Sequence, residues 1–258
     1  MIKVTFLGTN GFFSNKLGDT LCTVIETDNY NIILDAGSGI SKLDKVISFN
    51  KETYLLISHM HLDHINGLFI LPKFNFLKGL TICSAEESFY DLQKIMDFPY
   101  IAPPRMYNYN IDFLSLGKDI DTLPFGLKIL PVVHSVHTVG FRMKIQSRVI
   151  SFITDTGICD NAVVLADNSD LLICECSHLS GQVNPEWPHM NPEEAATLAK
   201  CSNSEHLILT HFDANRYLTF KDRIKAEKTA GKFFHSVAAV KDMDEYCLIS
   251  DTATQYKF

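Results

Sequence analysis

The sequence predicts an α/β fold in which sheets are covered by helices, and three observations carry that prediction. Short apolar runs with strand periodicity recur along almost the whole chain. Stretches with helical spacing and helix-start signals fall between them. No linker, low-complexity tract or repeat divides the 258 residues, which are enough to bury a substantial core, so one domain covering 1–258 is expected.

Residues 2–7 read as the first strand, and residues 21–27, 31–35 and 52–58 as the next three. Residues 65–74 follow with helical character, then a short strand at 80–84 and a helix over 86–96. Residues 98–110 are dense in proline and aromatic side chains. They form a long ordered loop, for which a lid and a plain surface connection are equal readings. The second half repeats the rhythm with strands at 127–133, 138–145, 149–153, 171–176, 206–210, 236–241 and 245–249. Helices are expected at 161–166, 192–200 and 220–230. The middle one has the clearest start: Asn191 as N-cap, Pro192 at the first helical position and Glu194 completing a capping box.

A hydrophobic content of 46% and a charged content of 21% are those of a globular protein in water. No apolar run approaches the roughly 20 residues that span a bilayer. The N-terminal apolar segment is too short for a signal peptide, so a cytoplasmic protein without a membrane partner is expected. Seven scattered cysteines fit reduced thiols. Cys174 and Cys176, with no second pair to complete a tetrahedral zinc site, read as packing residues. A formal net charge of −7 argues against a long nucleic acid, whose binding rests on many cationic contacts to phosphate. A small anion held by metal ions remains compatible, as does a homodimer.

The densest chemistry lies at His59, His61, Asp63 and His64, directly after the apolar run 54–58. Alternate residues leaving a strand point the same way, so His59 and His61 can converge on one ion. Asp63 and His64 then face a second ion from the turn that follows. Imidazole with carboxylate suits zinc, with manganese or iron as alternatives. Two ions need further ligands. His134, Asp155 and His211 each end an apolar strand, as does Asp35 before Gly37 and Gly39.

The pattern His-x-His-x-Asp-His, with Asp35 before it and His134, Asp155 and His211 after it, resembles the metallo-β-lactamase superfamily over nearly the whole chain. Within it the chain is most similar to the ribonuclease Z branch of phosphodiesterases. The likeness lies in Gly8-Thr9-Asn10-Gly11, Asp35-Ala36-Gly37, Gly140-Phe141-Arg142 after His134, Thr154-Asp155-Thr156 and Thr210-His211. The resemblance implies a four-layer αββα sandwich and two divalent ions. His59, His61 and His134 would hold the first, Asp63, His64 and His211 the second, with Asp155 bridging. Asp35 would accept from a ligand imidazole and fix its tautomer. His137, three residues beyond His134, falls off the strand edge. His61 stands where oxygen-reactive di-iron relatives carry a glutamate, which favours a hydrolytic zinc site.

The catalytic candidates are Asp63, His189 and Glu175. In ribonuclease Z-like enzymes a histidine placed like His189 serves the leaving group and is hydrogen-bonded to an acid in a strand like that of Glu175. The residues after it differ here, Met190-Asn191 replacing the family's small ones. His178 reads as a solvated loop histidine, and His206 and His235 carry no signal beyond their strand flanks. Only 20 residues separate His134 from Asp155, where tRNA-processing members carry a long basic arm. The expected activity is therefore hydrolysis of a small or cyclic phosphodiester by hydroxide held on the metals. The alternatives are hydrolysis of a lactone, thioester or β-lactam, or a domain that only binds a phosphorylated ligand. The cysteine-rich structural zinc site of the related cyclic-phosphate phosphodiesterases has no counterpart in the sequence.

Overall fold

The computed structural model describes residues 1–248 and the strand at 255–257. In chain order the strands begin with β1 (Ile2–Gly8), β2 (Asn10–Gly11), β3 (Cys22–Glu26), β4 (Tyr30–Leu34), β5 (Glu52–Ile57), β6 (Leu80–Ser84) and β7 (Ile111–Ser115). They continue with β8 (Gly126–Val132), β9 (Thr138–Ile145), β10 (Arg148–Ile153), β11 (Leu171–Glu175), β12 (Leu207–Thr210) and β13 (Phe212–Asp213). The last are β14 (Val237–Ala239), β15 (Glu245–Leu248) and β16 (Gln255–Lys257). Among the described residues five α-helices accompany them: α1 (Leu62–Ile65), α2 (Glu86–Ile95), α3 (Asp160–Ala166), α4 (Pro192–Cys201) and α5 (Phe220–Ala230). This is the mixed α/β class the sequence predicts.

The elements gather into two compact units. The first comprises Met1–Gly8, Gly18–Ile120 and Asp242–Phe258. Its eight-stranded sheet runs β16-β15-β1-β3-β4-β5-β6-β7. Strands β15, β1, β3 and β4 are joined antiparallel, and β4 to β7 parallel. Parallel neighbours share an edge at their C-terminal ends, which is where α/β sheets collect functional groups. In this unit β4 runs into Asp35 and β5 into Ser58 and His59. Ile33, Leu55, Ile57, Leu68, Leu71, Ile82 and Leu92 form its buried core.

The second unit comprises Thr9–Leu17 and Asp121–Lys241, with a six-stranded sheet in the order β14-β12-β11-β10-β9-β8. Strands β10, β11, β12 and β14 are parallel, while β9 is antiparallel to both β10 and β8. Strand β8 therefore points the same way as β10, and the C-terminal ends of β8, β10, β11, β12 and β14 lie along one edge. From that edge leave His134, Asp155, Glu175 and His211. Leu165, Leu172, Leu198, Leu209 and Phe212 are buried in the core below.

Several elements differ from the sequence reading. The stretch 65–74 is not one α-helix: α1 ends at Ile65, and a 3-10 helix over Asn66–Lys73 continues it, with Pro72 inside. Proline lacks an N–H and clashes with the preceding turn, which disfavours a longer α-helix there. Strand β7 and the paired two-residue strands β2 and β13 were not foreseen. The strand expected at 245–249 is β15 as far as Leu248, and Ile249 lies outside the described residues. Within the loop 98–110, Tyr109 is buried and its hydroxyl donates to the Leu71 carbonyl at 2.7 Å, tying that segment to the core. Cys174 packs against Met190, its Sγ 3.6 Å from the thioether sulfur, and burial pushes its thiol well up.

The capping box stands as read: Asn191 Oδ1 accepts from Glu194 N at 2.9 Å, and Glu194 Oε2 accepts from Asn191 N at 3.0 Å. Asn191→Ala should cost about 1 kcal/mol of stability, measured by urea denaturation, because it orphans a helical N–H. No helix among the described residues is long and apolar enough to cross a membrane.

Candidate metal centre

In the first unit one carboxylate orders two histidines. Asp35 is fully buried. It accepts from Ser58 N at 2.7 Å, from Ser58 Oγ at 2.8 Å and from His64 Nδ1 at 2.8 Å. A carboxylate can only accept, so His64 carries its proton on Nδ1 and keeps a lone pair on Nε2. The Ser58 hydroxyl spends its only proton on Asp35. It therefore accepts from His59 Nδ1, 3.0 Å away, which puts the His59 lone pair on Nε2. That Nε2 stands 3.0 Å from Nδ1 of His61, and Nε2 of His64 stands 3.6 Å from Asp63 Oδ2. His59 and His64 are buried, while His61 and Asp63 are half-exposed.

The second unit builds its half around Asp155. One oxygen, Oδ1, lies 3.2 Å from Nε2 of His211, and the other, Oδ2, lies 3.7 Å from Nε2 of His134. Ser177 orients His211: its hydroxyl donates to the His211 carbonyl at 2.9 Å and therefore accepts from Nδ1, also at 2.9 Å. The lone pair of His211 thus lies on Nε2, the nitrogen facing Asp155. Beside this group, His189 Nδ1 lies 2.8 and 3.0 Å from the two oxygens of buried Glu175. Backbone N–H groups of Thr156 and Ser177 also donate to that carboxylate, at 2.5 and 3.3 Å. Burial alone would raise the Glu175 carboxyl, but the charge and hydrogen bond of His189 outweigh it and hold it below the ordinary value. Donor atoms of Asp155, His189 and His211 all lie within 4.8 Å of one another.

Backbone strain marks the same residues. Asp35, Asp155 and His211 adopt φ of 58°, 47° and 53°. Non-glycine residues rarely occupy this left-handed region, and when they do they cluster where function holds them. Gly11 shows how closely the chain is fitted: a Cβ there would lie 2.5 Å from Cε1 of His211. Only glycine allows that approach.

Two serines, Ser58 and Ser177, escaped sequence reasoning although each fixes a histidine tautomer. Their only signal is position, one residue past β5 for Ser58 and two past β11 for Ser177, each beside a candidate histidine in the chain. His178 is a correction. Far from being solvated, it is 1% exposed, with Tyr217 donating to its carbonyl at 2.7 Å. Burial first, then the charges of Arg216 and His189, push its imidazole down. His137 is exposed, whereas the His134 side chain is fully buried.

The donors fit divalent ions. Imidazoles whose Nδ1–H groups are already engaged offer Nε2 lone pairs, and buried or half-buried carboxylates stand beside them, which is the arrangement a borderline cation needs.

The sequence pattern of the family described as "Beta-lactamase superfamily domain" matches residues 30–212, well over half of the chain. The chain belongs to the metallo-β-lactamase superfamily. A relative, the probable metallo-hydrolase YhfI of Bacillus subtilis, is 26% identical over 81% of this chain and 86% of its own. The crystal structure of YhfI superposes with a TM-score of 0.79 at 24% identity, covering 95% of this chain and 98% of that one. Ribonuclease Z of Streptococcus pneumoniae is 25% identical over 95% of this chain and 99% of its own. The short form of human tRNase Z shares the fold, with a TM-score of 0.72 at 20% identity over 97% and 100% of the two chains. Members of this superfamily are metal-dependent hydrolases, and the His and Asp donors accord with divalent metal ions in this one.

Proposed function

We propose that the chain is a phosphodiesterase, with zinc as its metal, that cleaves small or cyclic phosphodiesters. By the motifs it shares with the superfamily, His59, His61 and His134 would hold one ion and Asp63, His64 and His211 the other, with Asp155 between them. Asp155 turns a separate oxygen toward each of His134 and His211, which accords with a carboxylate shared by two ions.

When bound, two adjacent zinc ions polarise a phosphoryl oxygen and acidify water. The chain's own residues do the remaining work. The Glu175 carboxylate accepts from His189 Nδ1 and favours the doubly protonated ring, whose second proton, on Nε2, would pass to the leaving oxygen. Buried Asp35 and the two serines keep the ligating nitrogens deprotonated and aimed. The single observation that carries the phosphodiesterase reading is this buried His189–Glu175 pair beside Asp155 and His211. It supplies leaving-group protonation, which a domain that merely bound a phosphorylated ligand would not need.

The ribonuclease Z relative supports phosphodiester chemistry. Its alignment runs over 313 positions against the 258 residues here, so it carries stretches without counterpart in this chain. With the net charge of −7, this favours a small substrate over tRNA, and a cytoplasmic enzyme acting on a soluble metabolite. Zinc-loaded enzyme should hydrolyse bis-p-nitrophenyl phosphate and leave a lactone and a thioester panel untouched. Turnover confined to the carbon esters would end the proposal.

A further inference from the structure

The unit that carries His134, Asp155, His189 and His211 also carries Trp187, the one tryptophan of the chain. Its ring stands edge-on to His134, with centroids 5.7 Å apart at 65°, and tilted to His189, 6.0 Å away at 53°. Even so, the residue is 46% exposed. Trp187 sits between Pro185 and Pro188 on a segment turned by Asn184, which accepts from Glu186 N at 3.1 Å and from Trp187 N at 3.2 Å. Prolines and a closed turn remove backbone freedom, so the indole is presented with little ordering left to do.

Aliphatic side chains flank it along the chain and on the strand end that its segment meets. Pro188 abuts Gly157, where a Cβ would lie 3.3 Å from the proline Cβ. Gly157 N donates to the Val133 carbonyl at 3.1 Å. The side chains along this stretch, Val133, Ile158 and Val183, are all largely exposed. A further aromatic pair, exposed Phe12 and Phe13, has ring centroids 5.2 Å apart and directly follows the Gly11 that touches the His211 ring. A site built only for phosphate and sugar would surround its histidines with hydrogen-bond donors. Here the flat Trp187 ring stands against two histidines of the proposed reaction centre and, with the aliphatic side chains on the segments beside it in the chain, faces water, where exposed apolar area is unfavourable unless something covers it.

We propose that Trp187 is the platform on which an aromatic group of the substrate stacks, so that the preferred substrates are small phosphodiesters bearing a nucleobase. This rests on the phosphodiesterase reading above, and the test separates the two. Adenosine 2′,3′-cyclic phosphate and glycerol 1,2-cyclic phosphate present the same five-membered phosphodiester with and without a base. Zinc-loaded enzyme should favour the adenosine ester in kcat/KM by about tenfold to a hundredfold, the usual scale of one base stacking on an aromatic ring. Trp187→Leu should erase that preference while leaving the glycerol ester nearly unchanged, and Trp187→Phe should retain most of it. Equal loss on both esters would make Trp187 a support for the histidines and overturn the proposal. Absence of any preference in the wild type would overturn it too.

Fluorescence gives a readout apart from turnover, because all tryptophan emission comes from this residue. Adenosine monophosphate should quench it saturably, and ribose 5-phosphate should not. If neither cyclic ester is cleaved, the phosphodiesterase reading falls, and the quench still decides the stacking: no quench overturns it. Emission that changes with protein concentration alone would assign the patch to a second copy of the chain, which also overturns it.

Discussion

Asp155→Asn should strip most of the bound metal and lower kcat/KM by more than the roughly 10- to 100-fold that loss of an outer hydrogen-bond partner costs a metal site. The argument rests on geometry. Asp155 directs Oδ1 at His211 and Oδ2 at His134, and Thr154 Oγ1 donates to Oδ1 at 2.6 Å. Asparagine keeps the shape and tolerates the φ of 47°, but it replaces one anionic oxygen by an NH₂ group that cannot ligate. Asp155→Ala would lose the ligand as well and add strain at that φ, so the two variants together separate metal loss from folding. Elemental analysis of the purified variants, beside circular dichroism, is the measurement. A fully active Asp155→Asn enzyme with its metal intact would sink the proposed centre.

His189→Ala should behave in the opposite way, retaining metal while turnover falls about 10²- to 10⁴-fold, the range for a positioned general acid. His189 lies near the Asp155–His211 pair, and its Nδ1 is engaged by both oxygens of Glu175, the pair to which the proposal assigns proton transfer. The loss should be smaller on p-nitrophenyl esters than on alkyl esters, because p-nitrophenolate leaves without protonation. A variant that loses its metal instead would show His189 to be a ligand. The pair also makes a pH statement. The Glu175 carboxyl is held below its ordinary value of 4.5, so its contribution to stability is complete above that pH. It is lost only as acid titrates the folded carboxylate below it.

Much of this was legible before folding because it is written locally. Four donors within six residues after an apolar strand, and a proline-started helix with its capping box, declare themselves through spacing alone. Strand ends could also be read, since an apolar run closing on a lone Asp or His is a local pattern. Where the reading missed, the information was not local. The turn after His64 looks helical by periodicity, yet Pro72 and the packing of Leu68 and Leu71 favour a tighter helix. His178 sits in a polar-looking segment and is nevertheless sealed beneath Tyr217.

Residue identity and short-range spacing thus determined which groups were available for metal chemistry and on which strands they ride. Only tertiary structure decided which nitrogen of His59, His64 and His211 carries the proton. That choice depends on Asp35 meeting Ser58 and His64, and on Ser177 meeting His211, 34 residues away. Hydrogen bonds between distant strand ends follow from strand order and register, and these are properties of the assembled sheet that no window of sequence contains.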